Sequence, residues 1–165
     1  MPGIDSTIVE HQIKMYPDVK PVWQRLRPVH PKKFYAIKTE VEKLLRDGFI
    51  YPVPLTDWVS NIVPMMKKQG TIRVCVDYQD VNKACPKDNY PTPFIDQIIN
   101  EFSGCEIFSF MDGFSRYNQI NIRPQDQSKT AFICLWGTFA YRKLLFDLKN
   151  AGAIFREQWT MLSMT

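Results

Sequence analysis

Asp112 ends the run Ile107, Phe108, Ser109, Phe110, Met111 and is followed at once by Gly113. Five mostly apolar residues predict a buried strand, and a strand that delivers a carboxylate to its own C-terminal edge can hold a metal ligand still. The same Asp-Gly pair, taken alone, reads as a simple turn cap. A second chemical grouping is cationic. Lys67 and Lys68 lie between two strand-like runs, 59–66 and 71–76, that predict a hairpin, and Arg73 alternates with Ile72 and Val74 so that it faces away from their apolar side. Three cations on one projecting hairpin can close on a triphosphate or a phosphodiester backbone, or merely keep a hairpin tip solvated.

These residues need a frame, and the composition allows one. The chain has 165 residues, 45% hydrophobic and 13% aromatic, enough for one domain or most of one and inconsistent with disorder. Its formal charge of +4 is uneven: residues 1–87 hold 14 Lys and Arg against 9 Asp and Glu, and residues 88–165 hold 7 against 8. The first half therefore favours a polyanion, although a charge of this size is also that of an ordinary solvated surface. Cys75, Cys85, Cys105 and Cys134 have no Cys-x-x-Cys spacing, and His11 and His30 are the two histidines, so the sequence offers no zinc pattern and four buried free thiols are expected. No apolar run reaches the length of a membrane span and no leader opens the chain. A soluble protein of a reducing, intracellular compartment is the expectation.

Residues 1–33 carry five of the twelve prolines and no helical or alternating period, which predicts an extended arm. Arg25, Arg27, Lys32 and Lys33 make it basic, and it is expected to stay solvated rather than to follow a phosphate backbone. Phe34, Ile37, Val41, Leu44 and Leu45 fall on one helix face, Gly48 is placed to end that helix, and its apolar face should be core. Pro64 suits an edge strand. After a polar loop at 77–91, Thr92 and Pro93 predict a helix start, with Ile95, Ile98, Ile99 and Phe102 at helical spacing before Gly104. Beyond Asp112, Ile120 and Ile122 alternate with Asn121 and Arg123. A second hairpin is expected from 131–136 and 139–145 with its turn at Gly137 and Thr138, and Asn150 can cap a last helix whose Ala151, Ile154, Phe155, Trp159 and Leu162 share a face.

The order helix, basic hairpin, helix, Asp-bearing strand, hairpin, helix resembles the fingers and first part of the palm of a reverse transcriptase. RVCVDYQDVNKACPKDNYPTP (73–93), FSFMDGFSRYNQI (108–120), KTAFICLWGTFAY (129–141) and LKNAGAIF (148–155) are similar to blocks of the gypsy-type LTR retrotransposon enzymes, in their order and at their spacing. The resemblance implies an α+β, reverse-transcriptase-like fold, divided into a basic arm (1–33), fingers (34–88), palm (89–120), a second fingers hairpin (121–149) and the start of a palm helix (150–165). It implies transfer of a nucleotidyl group from a deoxynucleoside triphosphate to a primer 3′ hydroxyl on an RNA or DNA template, with two magnesium ions, within a longer polyprotein and away from membranes.

Site roles follow from the same resemblance. Asp112 matches the first metal-binding aspartate, with the Gly113 carbonyl beside it. Arg73 and one of Lys67 or Lys68 match the triphosphate grip, and Ser115, Arg116 and Tyr117 the nucleotide-binding turn, in which Tyr117 lies under the sugar and excludes a 2′ hydroxyl. Phe146, Asp147, Leu148, Lys149, Asn150 and Ala151 match the template and nucleotide pocket. Three positions depart from the pattern. Arg116 stands where the family has a small residue, and Leu145 and Asp147 fall in a segment the family writes Pro-Phe-Gly. An acid there would repel incoming phosphates. The family's Tyr-x-Asp-Asp hairpin is expected beyond residue 165, so the chain alone is expected to be an inactive fragment, truncated before the second catalytic motif. A non-catalytic nucleic-acid-binding remnant and an interaction remnant are the alternatives.

Overall fold

The computed structural model describes residues 4–66, 71–91, 94–104, 106–107 and 116–163. In chain order, its elements begin with β1 (Glu10–His11), α1 (Pro31–Arg46), β2 (Ile50–Pro52), β3 (Ser60–Met66) and β4 (Ile72–Val76). Two helices follow, α2 (Gln79–Ala84) and α3 (Ile95–Phe102). A 3-10 turn at Arg116–Gln119 leads to β5 (Asn121–Ile122), α4 (Pro124–Gln127), a second 3-10 turn at Ser128–Thr130, β6 (Phe132–Cys134), β7 (Gly137–Tyr141) and α5 (Ala151–Ser163).

Pro31 opens α1 because its fixed φ and missing N–H suit a first helical turn, and the His30 Nδ1 accepts from the Lys32 N–H at 3.2 Å. Gly48, at φ +74°, closes it. The Gly48 N–H donates to Leu45 O at 3.1 Å and the Phe49 N–H to Leu44 O at 3.0 Å, the bond pair of a Schellman turn that a Cβ would strain. Ile37 and Val41 are buried on the inner face, and α1 packs against β4 and β2. That face is core, as the spacing predicts.

Five strands form one sheet in the order β2-β7-β6-β3-β4. β3 and β4 pair antiparallel from Ile62↔Val76 to Met66↔Ile72, the expected hairpin, with Val74 and Val76 buried and Arg73 exposed. Two details of the expected strands are corrected. β3 is interior at its start, where Ser60 and Asn61 pair parallel with Phe132 and Ile133 of β6, and Pro64 is tolerated because β6 has already ended there. The second hairpin turns at Leu135 and Trp136, with Cys134 opposite Gly137 and the ladder ending at Tyr141. Gly137, at φ +134°, drew the expected turn two residues late. Beneath the sheet, Phe132, Ile120, Ile122 and Leu144 are each 0% exposed, worth roughly 2 kcal/mol apiece. Tyr78 joins them, its hydroxyl donating to Thr130 O at 2.7 Å.

The arm is extended, as its prolines predict, but it is docked rather than solvated. β1 pairs parallel with β5, and Val9, His11 and Ile13 are buried. The Ile13 N–H donates to the Asp126 carboxylate at 3.1 Å, and Lys129 donates both to Ile13 O and to Asp126. Farther along, Trp23 bridges Val59, and buried Asn61 holds the arm through Gln24 Oε1, Arg25 O and the Arg27 N–H. Those partners lie 34 or more residues away in sequence, beyond the reach of any local pattern.

Two further corrections concern helices. The expected polar loop at 77–91 contains α2, whose Val81 and Ala84 are buried. In α3, Ile99 is 59% and Phe102 50% exposed, so these two residues of the expected apolar stripe are not core. Thr92 and Pro93 lie outside the described residues, and the residue before α3 is Phe94. Cys85 and Cys134 are buried and Cys75 half-buried, all three as free thiols, while Cys105 is outside the described residues.

Candidate functional site

β4 turns Arg73 outward because its neighbours Val74 and Val76 go into the core. Its guanidinium lies 4.4 Å from the centroid of the Phe146 ring, a cation–π contact that connects the hairpin to the segment between β7 and α5. Next in line is Asp147, half-buried. Burial raises its carboxyl above the ordinary carboxylate value, opposed by the Arg73 charge and by a hydrogen bond from the Val76 backbone. Burial is also the main reason that the neighbouring Cys75 thiol is raised, with Asp147 adding to the effect. Arg73 thus stands between a ring face and a carboxyl group, with part of its surface open to solvent.

Tyr117 approaches from the other side. It sits on the 3-10 turn Arg116–Gln119 and is half-buried against Phe155 of α5, with ring centroids 5.4 Å apart. Gly152 lies beneath its hydroxyl: a Cβ there would stand 4.0 Å from the Tyr117 oxygen, ordinary contact. The turn and the first turn of α5 are therefore one packed unit.

The stretch 146–151 is fixed from the α2 side. The Asn82 Nδ2 donates to Asp147 O and the Lys149 N–H donates to Asn82 Oδ1, both at 2.8 Å. Lys149 Nζ donates to Cys85 O at 2.8 Å. Asn150 precedes α5 as expected, but its side chain spans outward: Oδ1 accepts from the Asp88 N–H at 3.0 Å and Nδ2 donates to Pro86 O at 2.9 Å. Leu148 and Ala151 are buried and act as the anchors of this segment.

Of the residues singled out from the sequence, Arg73 is brought to Phe146, and Tyr117 to Phe155 and Gly152 of α5. Arg116 is placed by its backbone in the 3-10 turn. Lys67, Lys68, Asp112, Gly113 and Ser115 lie outside the described residues. Among the described residues no group of three or more His, Cys, Asp and Glu could hold a metal ion. Sequence reasoning missed Asn82 and the cross-links from Lys149 and Asn150. An amide in a polar stretch carries no local mark of a partner 65 residues away.

Comparison with known proteins agrees with this architecture. The reverse transcriptase (RNA-dependent DNA polymerase) family model matches residues 65–164. The transposon Tf2-3 and Tf2-7 polyproteins of Schizosaccharomyces pombe (strain 972 / ATCC 24843) are each 34% identical over 132 residues, covering 78% of this chain and 10% of the polyprotein. Among solved structures, the native prototype foamy virus protease-reverse transcriptase superposes with a TM-score of 0.68 at 19% identity, over 94% of this chain and 21% of that one. The foamy viral protease-reverse transcriptase in complex with dsDNA gives 0.74 at 20% identity, over 95% of this chain and 33% of that one.

The mixed α+β fold with its Arg73-bearing hairpin is thus that of a right-hand polymerase, and the chain belongs to the reverse transcriptase family. It matches the reverse transcriptase region of retrotransposon polyproteins, as the resemblance to gypsy-type enzymes implies, and it spans about a tenth of the length of the curated polyproteins it matches. Among the described residues no helix is long and apolar enough to cross a membrane.

Proposed function

We propose that this chain forms the fingers and the first part of the palm of an RNA-directed DNA polymerase, and that its share of the reaction is to grip the incoming deoxynucleoside triphosphate and to supply one metal-binding carboxylate. The single observation that carries the reading is Arg73, turned outward on β4 and set over the Phe146 ring beside the 146–151 segment. A guanidinium with one face on a ring keeps its edge donors free for phosphate oxygens, and the apolar contact limits its swing. Lys67 and Lys68, which fall in sequence between β3 and β4, are assigned to the same grip.

Tyr117 is assigned to the sugar. Its packing against Phe155 gives the ring a fixed edge, which is what exclusion of a 2′ hydroxyl requires. Asp112 and the Gly113 carbonyl are assigned to divalent metal, magnesium being the ion expected for this chemistry, which activates the attacking oxygen and stabilises the leaving one when bound. The described residues present no further carboxylate cluster for it, so the remaining ligands are assigned to sequence outside them. Template and primer strands, as RNA or DNA, are the proposed macromolecular partners, together with the rest of a polyprotein.

Lys67→Ala, Lys68→Ala and Arg73→Ala together test the grip. Triphosphate or primer–template affinity should fall, and the dependence of log affinity on log salt should flatten by roughly one charge per residue removed. An unchanged affinity and salt slope in the triple variant refutes the reading.

A further inference from the structure

The segment between β7 and α5 carries Phe146 and Asp147, yet it belongs to no sheet and no helix. Two of its main-chain groups, the Asp147 carbonyl and the Lys149 N–H, are satisfied by a single side chain, the Asn82 amide, at 2.8 Å each. An amide has one donating and one accepting end, so it can pair with the carbonyl and N–H that flank Leu148 as a neighbouring strand would. The base of this clamp is rigid. Asn82 sits in α2, between Val81 at 0% exposure and Ala84 at 4%, and its N–H donates to Tyr78 O at 2.8 Å. Tyr78 is itself fixed by its hydroxyl on Thr130. Asn150 makes a second, parallel cross-link to Pro86 and Asp88, and Lys149 Nζ a third to Cys85. Leu148 is buried between the cross-links, and Phe146 is left 45% exposed on the open side under Arg73.

We propose that Asn82 is a positioning residue: its amide fixes the register of 147–149, which keeps the Phe146 ring under the Arg73 guanidinium and so aims Arg73 at phosphate. The inference rests on the triphosphate-grip reading for its purpose, though not for its geometry. Asn82 is assigned to act through Phe146 and Arg73. A clamp that needs one donor and one acceptor has a specific signature in Asn82→Asp. The ionised carboxylate still accepts from the Lys149 N–H but faces the Asp147 carbonyl with no proton, whereas the protonated acid has a hydroxyl to donate there. The titratable and charged groups around position 82 are Lys149, whose N–H bonds its amide, and His11, Lys14 and Cys85, which line the same small cavity, while Asp147 meets it through its main-chain carbonyl.

The test uses the 165-residue chain and reads Arg73 by NMR. The face of the Phe146 ring shifts the Arg73 side-chain protons upfield, and Phe146→Leu supplies the value without the ring. In Asn82→Asp at about pH 8 the Arg73 signals should move most of the way to the Phe146→Leu value, and they should return part of the way towards the parent value at about pH 4, where about half of an ordinary Asp carboxyl has regained its proton. Asn82→Ala should show the loss without the return. Arg73 signals in Asn82→Asp that equal the parent's at both pH values overturn the proposal. Loss of amide and methyl dispersion in both Asn82 variants also overturns it, since Asn82 would then hold the core and not the segment. Titration with dTTP and magnesium separates the two readings: affinity should fall about tenfold in Asn82→Asp at the higher pH, the scale of one lost hydrogen bond to a charged group. A ring-shift loss with no response of Arg73 to dTTP in any protein, parent included, overturns the grip and leaves the clamp standing.

Discussion

His11 is 5% exposed, and its Nδ1 is a buried nitrogen without a hydrogen-bond partner. Burial lowers its pKa from 6.5 to about 4, and the Asp126 charge opposes the shift. The unfolded chain therefore takes up the proton first. Above about pH 6.5 neither state is charged and His11 carries no penalty. As pH falls towards 4 the folded state loses stability by about 3 kcal/mol, and below that the loss is complete. His11→Leu should remove this segment of acid sensitivity, so the difference in urea midpoint between parent and variant should change across that window and be constant above it. A difference that stays flat down to pH 4 would show that the imidazole is charged or solvated in the folded chain.

At the scale of elements, the N-terminal arm is held by two polar hubs. Asp126 is 6% exposed and, with Lys129, brackets the Ile13 peptide. Asp126→Ala should cost about 2 kcal/mol, because it leaves the Ile13 N–H and the Lys129 ammonium without their acceptor, discounted for the solvent access Lys129 retains. Cleavage after Lys14 by trypsin should quicken in parallel, since β1 is a two-residue pair that cannot hold the arm alone. Equal cleavage rates in parent and variant would place the arm's stability elsewhere. Asn61, 1% exposed, is the second hub, and Asn61→Ala should cost about 2 kcal/mol in urea unfolding by stranding the Arg25 carbonyl and the Arg27 N–H.

At the scale of the molecule, several apolar side chains in the span 94–107 are exposed: Phe94 73%, Ile99 59%, Phe102 50% and Ile107 90%. Such a surface promotes association. Ile99→Glu with Phe102→Lys should lower light scattering of concentrated chain while shifting stability by no more than about 0.5 kcal/mol, as substitutions at exposed positions do. Unchanged scattering would mean that the patch is not the associating surface. For the reaction, two-ion transfer needs more carboxylates than Asp112 and the described residues offer. Primer extension by the 165-residue chain alone, with magnesium, should therefore be absent, and extension that Asp112→Asn abolishes would overturn that expectation.

What the sequence determined by itself was local or carried by family blocks. The spacing of Ile37 and Val41, the Gly48 stop, the β3–β4 hairpin and the outward turn of Arg73 each depend on period and on neighbours a few residues away, so they were legible. The family was legible from the blocks at 73–93 and 108–120. Tertiary structure decided the rest. The arm's residues look solvated until Asp126, Asn61 and β5 are folded beside them. The stripe on α3 tells that one face is apolar, not what covers it. Gly137 suggested a turn, but the pairing of Cys134 with Gly137 set that turn two residues earlier. Asn82 gained its role only when chain folding brought it to Asp147 and Lys149, because hydrogen bonds between distant segments depend on the packing of the core between them and leave no period in the sequence.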